Sequence, residues 1–303
     1  MSDAYSTRGL VTAYTGLVLT AAFWAGNAVV ARGVVDTIPP LALAFWRWVL
    51  ALVIVLPFGL RPLRREWPVV RAHWRAMLPI AALSVGAFNT LLYLAATTTT
   101  AVNIALLNST LPIIVALLAW VLLGARMRGG QAAGIAAALC GILIVITQGN
   151  PARLLDLDFQ PGDLLMVAAV SCWGLFSVLM RRHPVPVSAR TFLTAQILFG
   201  VPVILPFYLL ELALGGGFAM RPALALPFLY VAIFPGLIAF SCWNLGVRRV
   251  GPSNSAMFLY LIPVFAAGLS WLFLGEGLAA FHGVGGAFIL VGLYLATRTP
   301  TED

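Results

Sequence analysis

Ten stretches of about 18 to 24 apolar residues follow one another along the chain, at roughly 11–31, 40–59, 77–97, 101–123, 130–148, 163–181, 190–210, 223–245, 253–274 and 278–297. Each is long enough to cross a hydrocarbon layer about 30 Å thick. In lipid such a stretch must be a helix, because only a helix satisfies its own backbone. Barrel strands are excluded, since they alternate in segments of about ten residues. The first stretch exceeds the 7–15 residues of a signal-peptide core and is expected to be a retained first helix. A soluble domain is excluded by the same pattern, and the 61% apolar and 9% charged composition agrees.

The net charge of +8 alone would point to a nucleic-acid or anionic-lipid partner. The placement of the charge argues otherwise. All 18 basic residues are arginine, and with ten spans both termini share one side. Fourteen arginines fall in the loops and termini of that side, including Arg61, Arg64, Arg65, Arg71 and Arg75 in one loop. Three (Arg32, Arg153 and Arg221) fall on the other side, and Arg47 lies inside a span. The positive-inside rule then predicts cytoplasmic termini in a bacterial-type inner (plasma) membrane. No nucleic-acid partner is expected; the partners are the bilayer and a small-molecule substrate.

The chain also repeats itself. At an offset of 151 residues Asn103 matches Asn254, Pro112 matches Pro263, Trp120 matches Trp271, Gly134 matches Gly285 and Gly141 matches Gly292; at an offset of 149, Trp24 matches Trp173. Two five-helix halves, 1–150 and 151–303, are expected. Five is odd, so the halves are inverted, an arrangement typical of secondary transporters whose site lies near mid-membrane between the repeats. The fold class is therefore all-α, ten transmembrane helices as two inverted five-helix repeats around a central cavity.

The run LIPVFAAGLSWLFLGEGL (261–278), its echo LPIIVALLAWVLLGARM (111–127), AVSCWGLFSVLMRR (169–182) and the glycine-spaced last helix resemble the EamA branch of the drug/metabolite transporter superfamily. Within it the chain looks like the YddG-type amino-acid exporters. That resemblance implies ten helices around a cavity, with aromatic residues in it, and efflux of amino acids or related metabolites; drugs or purines are the alternative cargo. One departure is Ala125, where the second half has Glu276.

Candidate substrate contacts follow from polar and aromatic residues near the middle of spans. Trp24 and Asn27 lie three apart on one helix face, with Thr20 extending it, and Trp173, Phe176 and Ser177 repeat the arrangement. Phe88, Asn89 and Tyr93 in the third span, Asn108 in the fourth, Trp243 and Asn244 in the eighth, and Met257 and Tyr260 in the ninth complete the set. Pro112 and Pro263 are expected to kink the middle of spans four and nine, as static bends or as hinges. Arg47, with Gln196 at the duplicated position, is either structural or a partner for a substrate carboxylate.

No carboxylate is expected at mid-membrane, so weak or no proton coupling and downhill efflux are predicted. Cys140, Cys172 and Cys242 read as small apolar packing residues. No cofactor and no metal are expected. An intramembrane enzyme lacks a readable nucleophile and base, and a channel lacks a charged ring or carbonyl filter. Gly130 and Gly134, with Gly285, Gly286 and Gly292, are expected to pack helices within one chain, which works as a monomer.

Overall fold

The computed structural model describes residues 7–34, 37–155, 157–219, 221–275 and 277–298, so Asp36, Asp156 and Glu276 lie outside the described residues. The described chain is helical, without strands. Ten helices are long and apolar enough to span a membrane: α1 (Arg8–Val30), α2 (Pro40–Ala72), α3 (Trp74–Ala96), α4 (Asn103–Leu123), α5 (Gly129–Ile146), α6 (Pro161–Arg182), α7 (Ala189–Ala213), α8 (Pro222–Val250), α9 (Pro252–Phe273) and α10 (Ala280–Thr297).

Packing follows the inverted duplication. A lipid environment gives no hydrophobic drive between helices, so close contact depends on small residues. In α5 and α10 a Cβ at Gly134 would stand 2.5 Å from the Gly292 carbonyl oxygen, and one at Gly141 2.5 Å from that of Gly285. Repeat-related glycines thus exchange partners across an antiparallel crossing. The spacing in contact is seven residues rather than the Gly130–Gly134 pair, and Gly286 instead approaches Val264. Outward from this crossing, Leu143, Phe288, Leu290 and Tyr294 are exposed, as a lipid-facing surface requires.

The helices α2 and α7 pair in a corresponding way, fastened at both ends by carboxylates on helix N-termini, where unpaired N–H groups favour an anion. Glu211 of α7 accepts from the backbone N–H of Leu41 (3.0 Å) and Ala42 (2.7 Å) of α2. Glu66 of α2 accepts from the N–H (2.9 Å) and Oγ (3.0 Å) of Ser188 at the start of α7. Between these pairs the two halves interleave: α1 packs on α8 and α9, while α6 packs on α3 and α4. The central wall is therefore built from α1, α3, α4, α6, α8 and α9.

Two irregularities shape that wall. Matching turns of α3 (Ala82–Ala87) and α8 (Ala232–Ile238) are π-helical. Such widened turns leave carbonyls poorly served by the helix, and side chains bond them here. Asn89 Nδ2 donates to the Ser84 (3.2 Å) and Val85 (3.1 Å) carbonyls, and Trp24 Nε1 donates to the Pro235 carbonyl (3.1 Å).

The second irregularity lies where the sequence places the bends of spans four and nine. α4 is broken at Thr110, between Ala101–Ser109 and Leu111–Leu123, and α9 passes through a 3₁₀ turn, Phe258–Leu261, before Ile262–Leu274. Pro112 and Pro263 are each the second residue of the segment after the break. There a missing N–H costs nothing, because first-turn N–H groups have no partner within the helix. The carbonyls before the first break accept from Ser109 Oγ (to Leu106, 2.6 Å) and Thr110 Oγ1 (to Leu107, 2.7 Å).

Candidate functional site

A cavity of about 230 Å³ lies between the halves, lined by residues of the membrane-spanning helices. Its walls carry Trp24, Asn27 and Ala28 from α1, Arg47 from α2, Phe88, Asn89, Leu92 and Tyr93 from α3, and Ile104, Asn108 and Leu111 from α4. Trp173 of α6, Phe240 of α8 and Leu259 and Ile262 of α9 close the ring. The cavity thus draws on six interleaved helices and α2, as a site between inverted repeats does.

Its floor is an aromatic cluster. The ring centroid of Trp24 lies 5.0 Å from Trp173, 5.6 Å from Trp243 and 6.0 Å from Phe240, and Phe88 lies 4.9 Å from Trp173. Trp24 meets Trp173 and Phe240 edge-on and the other two pairs are tilted, a packed set of rings that suits a recognition surface. Beyond the floor, toward the face bearing the termini, the chain is closely packed. Thr20 is fully buried and donates to the carbonyls of Gly16 (2.9 Å) and Ala239 (3.1 Å) rather than facing the cavity.

Arginines close that same face. Arg181 donates to the Arg248 carbonyl (2.9 Å), Arg182 to the Leu122 carbonyl (2.9 Å) and Arg249 to the Gly9 carbonyl (2.8 Å), joining α6 to α8 and α4, and α8 to α1. Arg248 lies over the Phe192 ring, 4.2 Å from its centroid. Lysine would bring its charge here but not a planar fork of donors. Toward the opposite face the cavity reaches the exposed Ala28. At that face Asp163 fastens the start of α6 to α4: it accepts from Asn103 Nδ2 (3.0 and 3.2 Å), from the Thr99 hydroxyl and from the Gln160 N–H (2.9 Å).

Of the residues singled out in the sequence, Trp24, Asn27, Arg47, Phe88, Asn89, Tyr93, Asn108 and Trp173 meet in this cavity. Others lie behind it. Phe176, Ser177, Trp243 and Met257 are fully buried, with Ser177 Oγ donating to the Trp173 carbonyl (2.9 Å). Asn244 Nδ2 donates to Gln196 Oε1 (2.8 Å), and Gln196 Nε2 donates to Ser84 Oγ (2.8 Å), a buried chain of bonds across α8, α7 and α3. Tyr260, Pro112 and Pro263 line a second chamber of about 350 Å³ between α4, α5, α9 and α10, which shares Asn108, Leu259 and Ile262 with the first.

Leu92, Ile104, Leu111, Leu259 and Ile262 also line the cavity, and apolar residues within apolar spans carry no signal that could have singled them out. Phe240, which the eighth span carries three residues before Trp243, is the aromatic residue of that span that lines the cavity. The three cysteines are free, and Cys242 packs against Gly16. Among the described residues no group of His, Cys, Asp or Glu could hold a metal ion.

The EamA-like transporter family matches residues 11–147 and again 160–298. The chain is 28% identical over 299 residues to a "probable terminal-alkyne amino-acid exporter" of Streptantibioticus cattleyicolor, covering 95% of this chain and 94% of that one. It is 30% identical over 251 residues to "protein PecM" of Dickeya dadantii, 81% of each chain, and 26% identical over 277 residues to the "uncharacterized transporter YyaM" of Bacillus subtilis, 88% and 87%. A solved crystal structure shares the fold at a TM-score of 0.75 and 20% identity, covering 96% of both chains. A central cavity between two interleaved, inverted halves, each matched by the same family, makes this multi-pass membrane protein a member of the EamA-like transporter family.

Proposed function

We propose that the protein exports neutral and aromatic amino acids, or metabolites built like them, across a bacterial-type inner membrane by alternating access. The observation that carries this reading is the lining of the central cavity, which combines aromatic rings (Trp24, Phe88, Trp173, Phe240) with amides (Asn27, Asn89, Asn108) and a single arginine. A solute with an apolar body and a compact polar head fits such a lining, since rigid aromatic residues anchor the body and amides orient the head. Support also comes from the relative named as a probable amino-acid exporter. The 14 arginines on the terminus-bearing side support cytoplasmic termini.

In that orientation the cavity belongs to an outward-facing state, sealed toward the cytoplasm by the aromatic floor and the arginine bonds. Rocking of one half against the other would break the two of these bonds that cross between the halves, Arg182 to Leu122 and Arg249 to Gly9, and admit cargo from the cytoplasm. Among the described residues lining the cavity none is Asp, Glu or His, which favours downhill export without a proton relay there.

The test is export from intact cells. Cells carrying the protein and loaded with a dipeptide of phenylalanine should release phenylalanine faster than cells without it. Trp24→Ala and Trp173→Ala at matched protein levels should lose most of that gain. Equal release with and without the protein would sink the proposal.

A further inference from the structure

Among the described residues, no negative charge answers the guanidinium that the cavity contains. Arg47 is 3% exposed, two turns into α2, and lines the cavity. Its Nη1 donates to Asn27 Oδ1 at a long 3.3 Å, its Cζ lies 5.1 Å from the Trp48 ring centroid, and its buried Nε has no partner. Among the described residues it forms no ion pair. Two carboxylates toward the open face have other work: both oxygens of Glu211 cap the start of α2, and Asp163 is held by Gln160, Thr99 and Asn103. A guanidinium held within a membrane is costly and is usually paired or turned toward a pathway. It cannot escape the charge by losing its proton.

The rest of the lining sharpens what would pair with it. Asn89 spends its Nδ2 on the Ser84 and Val85 carbonyls, and Asn108 Oδ1 is buried without a partner. These amides offer neutral acceptors. No described residue of the lining offers a negative charge to an ammonium group.

We infer that the site reads a carboxylate and does not require an amine: its cargo class is apolar and aromatic monocarboxylates, of which amino acids are one kind and their 2-hydroxy and 2-oxo acid analogues another. The inference rests on the exporter reading for its transport consequence, but its binding consequence stands apart. Arg47 takes the carboxylate in place of its weak bond to Asn27, as guanidinium groups do with two parallel N–H donors. The apolar body lies on the rings of Trp24 and Trp173. An ester or a decarboxylated amine leaves the guanidinium unanswered, and the amine brings a second positive charge beside it.

The test compares four ligands on the same protein: phenylalanine, 3-phenyl-2-hydroxypropanoate, phenylalanine methyl ester and phenethylamine. In proteoliposomes exchanging labelled phenylalanine, the hydroxy acid should compete within about threefold of phenylalanine, and the ester and amine at least tenfold more weakly. Arg47→Gln and the charge-keeping Arg47→Lys should both weaken the acids, Gln more, leaving the ester unchanged. Thermal stabilisation of the purified protein by the same four compounds reads binding without transport. Stabilisation by both acids alone supports the inference even where no exchange occurs, in which case only the exporter reading falls. Equal competition or stabilisation by the ester or amine, or failure of the hydroxy acid where phenylalanine binds, overturns it.

Discussion

Replacing Arg249 by methionine should tip the protein toward the state open at the face bearing the termini. Methionine keeps most of the apolar stem and removes the donor that holds α8 to the Gly9 carbonyl of α1 at 2.8 Å. A hydrogen bond from a charged donor contributes about 1.5–3 kcal/mol, and because Arg249 is only half-buried the lower end applies. A loss of roughly 1.4 kcal/mol is tenfold in an equilibrium constant, so the minor state should become about ten times more populated. The reporter is Ser177→Cys, in a protein whose Cys140, Cys172 and Cys242 are replaced by alanine. Ser177 is fully buried one turn below the Trp173 floor. A membrane-impermeant maleimide applied to inside-out vesicles should label it about tenfold faster with Arg249→Met than without. Arg298→Met, which removes the same charge from a residue stacked on Tyr294 of its own helix, should leave the rate unchanged. Equal rates in the parent and Arg249→Met would refute the reasoning, as would equal acceleration by Arg298→Met.

Further consequences concern packing and energetics. Gly141→Ala should destabilise the protein by about 1–3 kcal/mol, read as a lower melting temperature in detergent, because the new methyl meets the Gly285 carbonyl at 2.5 Å. Gly283→Ala, with nothing within 4 Å, should leave the melting temperature unchanged or raise it. Tyr260→Phe should not destabilise, since the buried hydroxyl has no partner to lose; a clear drop would reveal a bond that the structure lacks. An inward or outward pH gradient alone should drive no uphill accumulation of phenylalanine in proteoliposomes, and uphill movement would disprove proton-free export.

Much of the fold was legible because a bilayer imposes it. The ten apolar runs, the matched glycines of α5 and α10 and the inversion follow from length, backbone satisfaction and self-comparison, none of which needs tertiary information. The site was legible only in part, for a reason rooted in the symmetry itself. Trp24 and Trp173 face each other on the two-fold, so their repetition marks both. Asn27 and Phe176, or Arg47 and Gln196, occupy equivalent positions in the sequence, yet the molecule is open on one face and closed on the other. Asn27 and Arg47 therefore reach the cavity, while Phe176 and Gln196 are packed away. Sequence symmetry cannot say which half is exposed in a given state. Bends in spans four and nine were legible from Pro112 and Pro263, though not that the helix breaks just before each. The π-helical turns carry no such mark, and the one in α8 offers its Pro235 carbonyl to a distant donor, Trp24 Nε1.

The measurement that bears most directly on the central claim is counterflow. Proteoliposomes preloaded with unlabelled phenylalanine and diluted into trace labelled phenylalanine should take up label above its equilibrium level before losing it, as a carrier with one alternating site requires. Uptake that never exceeds equilibrium, with or without internal phenylalanine, would contradict the account.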